Sequence, residues 1–81
     1  MNDYETGHIC GEICNELDHA IKKHPEFPVD LIHQVAIMAE EAGEAIQAAN
    51  NGDAEQVKKE LLHTAAMCIR VIQNMRKGRK I

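Results

Sequence analysis

The sequence predicts an all-α domain, a short antiparallel helical hairpin preceded by an N-terminal helix. Three observations predict it. Apolar residues recur three and four apart over three long stretches, which is the helical period. Two breaker-rich segments, 24–28 and 50–53, separate those stretches. No run alternates apolar and polar residues as a half-buried strand would.

The first helix is expected from about Glu5 to Lys23. Ile9, Ile13, Leu17, Ala20, Ile21 and His24 form its apolar stripe, while Glu12, Asn15, Glu16 and Asp18 stay on the polar side. Gly11 weakens this helix by roughly 1 kcal/mol relative to Ala. The segment His24-Pro25-Glu26-Phe27-Pro28 ends it, because a residue before proline disfavours the α conformation. The second helix starts at an Asp30 N-cap and runs to about Asn50, with Leu31, Ile32, Val35, Met38, Ala39, Ala42, Ile46 and Ala49 as its apolar side. On a wheel of roughly 100° per residue, that side centres on Val35, Ala42 and Ile46. His33, Ile37, Glu40, Glu41, Glu44 and Gln47 lie away from it. Asn50-Asn51-Gly52 reads as a C-terminal stop, since Asn and Gly tolerate the left-handed conformation. Asp53 then caps a third helix, with Gln56 three residues on as in a capping box. That helix is expected from about Ala54 to Lys77, with Val57, Leu61, Ala65, Cys68, Val71, Ile72 and Met75 facing the core. So short a link between the last two helices makes them antiparallel.

The 81 residues form one small domain, 1–81, without Trp and with single Tyr and Phe residues. Such a chain buries little area per residue, so an oligomer whose interface completes the core is expected. A net charge of -4 argues against nucleic acid as the main partner. Arg76, Lys77, Arg79 and Lys80 make a basic tail of the sort common at frayed termini. The apolar runs fall short of the roughly 18 residues a membrane helix needs, and no signal peptide is recognisable. Three cysteines, Cys10, Cys14 and Cys68, cannot all pair within one chain, which suits a reduced, cytoplasmic protein.

Two short patterns carry chemistry. Glu40-Glu41-Ala42-Gly43-Glu44 is an E-E-x-x-E run on the second helix, and Glu60-Leu61-Leu62-His63 is an E-x-x-H run on the third. Carboxylates three or four apart share a helical face, and two such faces on packed helices can converge on a hard cation such as Mg²⁺. A solvated acidic face is the plain alternative. Against it, no Lys or Arg occurs between Ile32 and Ala54 to relieve the repulsion among Glu40, Glu41 and Glu44. On the third helix Glu60, His63, Met67, Arg70, Asn74 and Lys77 follow 3-4-3-4-3 spacing. A metal end followed by a cationic end suits a nucleoside polyphosphate, with Arg70 and Lys77 on outer phosphates and Asn74 on sugar or base. Cys10 and Cys14, with His8 and His19 nearby, raise zinc, but a structural zinc site gathers four ligands, usually in pairs around a turn. They read better as small core residues.

The paired patterns, with their order, spacing and helical context over residues 28–75, resemble the MazG-like all-α nucleoside triphosphate pyrophosphohydrolases. That family carries E-E-x-x-E on one helix and E-x-x-D on the next. The resemblance implies hydrolysis of a nucleoside triphosphate to the monophosphate and pyrophosphate, with Mg²⁺ on the carboxylates and a dimer or tetramer of helical bundles. It implies Glu41, Glu44 and Glu60 as metal ligands, and Glu40 as the residue that orients or deprotonates water. His63 stands where the family has Asp, and an imidazole suits Mn²⁺ or Zn²⁺ better than Mg²⁺. Loss of that carboxylate leaves a second expectation open, a catalytically degenerate helical module with an oligomerisation or regulatory role.

Overall fold

The structure is a computed structural model that describes residues 3–78. It contains three helices, α1 (Asp3–Lys23), α2 (Leu31–Asn50) and α3 (Ala54–Gly78), and no strand among the described residues. The all-α expectation and the helical hairpin are both found. Arg79 and Lys80 of the basic tail lie outside the described residues.

Each boundary has a local cause. At the end of α1, His24 N–H still donates to Ala20 O at 2.8 Å, and Pro25 then stops the ladder. Asp30 caps α2, its carboxylate accepting from His33 N–H at 3.3 Å. Gly52 takes φ +71°, a left-handed turn conformation that costs glycine little. Asp53 N–H donates to Ala48 O at 3.0 Å, and Asp53 Oδ1 accepts from Gln56 N–H at 3.1 Å to open α3. Among the described residues, the amide of Gln56 does not complete the box. It donates forward to Glu60 Oε2 at 2.7 Å.

Helix α3 is the central element, packed against α2 on one side and α1 on another. Leu17, Ala66 and Met67 form the buried cluster, with Ile13, Ala20, Phe27, Ile37, Met38 and Ile69 packed around it. No described helix is long and apolar enough to cross a membrane.

The helix faces differ from the wheel reading. On α2 the buried residues are Gln34, Ala45 and Ala48, while of the expected centre Val35 and Ile46 are exposed and Ala42 is half-buried. On α3 the buried residues are Glu60, Ala66, Met67, Arg70 and Val71, of which Val71 alone belongs to the expected core side, while Leu61, Cys68, Ile72 and Met75 are exposed. The physical reason is that hydropathy patterning locates apolar surface, not the neighbour that covers it. Both hairpin helices carry more apolar surface than α1 can reach. The inward seam is chosen by small residues that permit close approach, Ala45, Ala48 and Ala66, and by polar groups that find partners there.

Candidate metal centre

Turned this way, α2 and α3 aim part of the acidic pattern inward. Glu41 of α2 and Glu60 and His63 of α3 each offer a donor atom within 4.8 Å of the other two. Glu60 is buried, at 5% exposure, whereas Glu41 and His63 are half-buried. The Glu60 carboxylate is held on both oxygens, by Gln56 Nε2 at 2.7 Å and by His63 Nδ1 at 3.0 Å. Glu41 Oε2 approaches His63 Nδ1 at 3.3 Å. On the other edge of the ring, His63 Nε2 meets Glu16 Oε1 at 2.5 Å. The imidazole is thus ringed by three carboxylates, one from each helix.

These contacts set the charges. Burial works against protonation of His63, but the Glu60 hydrogen bond and the Glu16, Glu41 and Glu60 charges outweigh it and raise its pKa above the ordinary value. Burial, the bond to Glu60 and the charges of Glu44 and Glu60 raise Glu41. Glu60 goes the other way. Burial pushes it up, but hydrogen bonds from Glu41, His63 and Gln56 win and lower it. One carboxylate of the pair is therefore tuned to keep its charge and the other to give it up, as expected where like charges share a site.

Beside the cluster lies a cavity of about 560 Å³ between α1, the 24–30 connection, α2 and α3. Glu16, Glu41 and His63 form its acidic end, Ala66, Met67 and Ile37 its floor, and Lys23, Lys59 and His19 add basic groups to its wall. Arg70 also lines it, buried, with Nη2 donating to His24 O at 2.6 Å and the guanidinium 4.3 Å over the Phe27 ring. Burial lowers its pKa. Gln34 holds the same connection from below, its Nε2 donating to Pro28 O at 2.6 Å.

The structure therefore brings together Glu41, Glu60 and His63 and places Arg70 on the same cavity. Glu40 is exposed and outside the cluster. Glu44 is exposed and lines a separate, smaller cavity with Gln56 and Glu60. Asn74 is half-buried and Lys77 exposed, and neither lines the main cavity. Glu16, Lys23, Lys59 and Phe27 were not picked out as site residues by sequence reasoning. Glu16 carried one usable signal, since it is one residue from Leu17, the buried anchor of α1. A scan against family models, a search of the curated proteins and a search of the solved structures each returned no match, so the site's own chemistry carries the functional argument.

Proposed function

We propose that the protein is a divalent-cation-dependent nucleoside triphosphate pyrophosphohydrolase of the MazG-like kind. The observation that carries the reading is the convergence of Glu41, Glu60 and His63, two of which, Glu41 and His63, also line the acidic end of a cavity with lysines in its wall. Two carboxylates and one imidazole nitrogen fit a cation that accepts nitrogen beside oxygen, such as Mn²⁺ or Zn²⁺, better than Mg²⁺, which prefers oxygen alone. When bound, the cation would supply charge stabilisation at the phosphoryl oxygens and a lowered pKa for water. The reaction joins a water oxygen to the α-phosphorus and breaks the bond from that phosphorus to the bridging oxygen, releasing pyrophosphate. The proton of the attacking water passes to solvent at the acidic end of the cavity. Lys23 and Lys59 supply positive charge for the phosphate chain. Arg70 holds the cavity wall through His24 and Phe27 rather than standing free for phosphate. Glu40 stands exposed outside the cluster, and Glu44 would join the cation only through a shift of its side chain.

A second reading has its own support. Both ring nitrogens of His63 face carboxylates, so an imidazolium can stand where a cation would bind. The chain would then be a helical oligomerisation or regulatory module that has given up turnover. In either reading the protein acts as a homodimer or homotetramer, supported by the uncovered apolar stripes of α2 and α3.

Pyrophosphate release from a panel of nucleoside triphosphates, with Mg²⁺ and separately with Mn²⁺, separates the two. The enzyme reading expects turnover, greater with Mn²⁺, that is abolished in Glu60→Gln. No turnover in the wild type, together with turnover in His63→Asp, would establish the degenerate module instead.

A further inference from the structure

Glu16 differs from the other acids of the centre in two respects. It comes from α1, and it meets the opposite edge of the His63 ring. Nε2 faces Glu16 Oε1 at 2.5 Å, whereas Nδ1 faces Glu60 Oε1 at 3.0 Å and Glu41 Oε2 at 3.3 Å. Among the described residues, the group of donors within 4.8 Å of one another contains Glu41, Glu60 and His63 and not Glu16. A neutral imidazole carries one N–H, and its other nitrogen offers a lone pair. A cation held between Glu41 and Glu60 must take the lone pair of Nδ1, the nitrogen on their side. Nε2 is then the protonated nitrogen, and Glu16 is the acceptor in front of it.

We propose that Glu16 is the positioning residue of the metal centre. It accepts the Nε2–H of His63, fixes the tautomer that presents Nδ1 to the cation, and makes α1 part of a site whose ligands lie on α2 and α3. This rests on the divalent-cation reading above. A carboxylate behind a ligating histidine orients the ring and strengthens it as a donor, and its loss commonly costs 10–100-fold in metal affinity. Glu16 is half-buried and its helix is anchored next door by Leu17, so the carboxylate is held in place as such a partner must be. Glu12, one turn away, pairs with Lys58 at 3.1 Å on the same α1–α3 seam but touches no part of the centre. It separates a positioning effect from a general loosening of α1.

The test uses the full chain with Cd²⁺ as the probe visible to magnetic resonance and Mn²⁺ for affinity. Long-range proton–nitrogen spectra of the wild type with ¹¹³Cd²⁺ are expected to show coupling of cadmium to His63 Nδ1, with the proton on Nε2. His63→Asn assigns the signals. Mn²⁺ affinity is expected to fall 10–100-fold in Glu16→Ala, to recover largely in Glu16→Gln, whose amide oxygen still accepts the N–H, and to be unchanged in Glu12→Ala. Coordination through Nε2, or a Glu16→Ala affinity equal to that of the wild type, would overturn the proposal while leaving a metal centre intact. Failure of the wild type to bind either ion overturns the divalent-cation reading and this proposal with it. The wild-type spectrum decides the coordinating atom even where Glu16→Ala does not fold.

Discussion

His63 sets the pH behaviour of the cation-free protein. Its folded pKa is raised, so its contribution to stability is fully present below the ordinary imidazole value of about 6.5 and is lost as pH rises through the folded value. Glu41, also raised, contributes in the same direction, in the more acid range. Glu60 is lowered, so its contribution is present above the ordinary carboxyl value of about 4.3 and is lost as pH falls through the folded one. Stability without added metal is therefore expected to fall as pH rises past about 6.5, where the contribution of His63 is lost. Urea midpoints across pH 4–9 in chelator check this, and the wild type should lead His63→Asn at pH 6 by more than at pH 9. An equal gap at both would remove the imidazolium from the account. Arg70 gives a second test at this scale. It is buried, donates to His24 O and covers Phe27, so Arg70→Ala is expected to destabilise by about 2 kcal/mol or more. Arg70→Lys should rescue little, because an ammonium lacks the planar group that covers the ring. Both are read from urea midpoints.

At the scale of the elements, the helices and their ends were legible because their signals are local. Asp30, Asp53 and Gly52 act where their chemistry placed them, within three residues of the groups they satisfy. Asp53→Ala is expected to cost about 1 kcal/mol of stability, measured by urea unfolding. The hairpin should feel it most, since that cap starts the helix on which both others rest. What the sequence hid was rotation about each helix axis. The stripe Glu60, His63, Met67, Arg70 and Asn74 looked like a flank of α3, yet it is mostly the buried seam. An apolar wheel assigns a buried Glu and Arg to the surface, because it has no knowledge of the Gln56, His63 and His24 groups that satisfy them. The same limit explains Glu16. Its partner lies 47 positions along the chain, and no local pattern relates the two.

For the whole molecule, the question is how so thin a core holds. Among the described residues no large side chain is fully buried, while Ile46 and Leu61 stand 65% and 56% exposed on the two helices of the hairpin. A single chain with uncovered stripes on two helices gains little from burial at roughly 25 cal/mol per Å², whereas a second copy could cover those stripes with like surface. Self-association then contributes to folding itself, and the unfolding midpoint must rise with protein concentration. Ile46→Glu separates this from intrinsic helix stability, since in a lone chain a charge at an exposed site changes stability by no more than about 0.5 kcal/mol. The expected outcome is a dimer or tetramer for the wild type in sedimentation velocity. Ile46→Glu should shift toward the monomer, with a lower midpoint and reduced helicity at micromolar concentration. A monomeric wild type with a concentration-independent midpoint would mean that the three helices suffice as they stand. The exposed stripes would then contribute nothing to stability, and the centre at His63 would have to be complete within one chain.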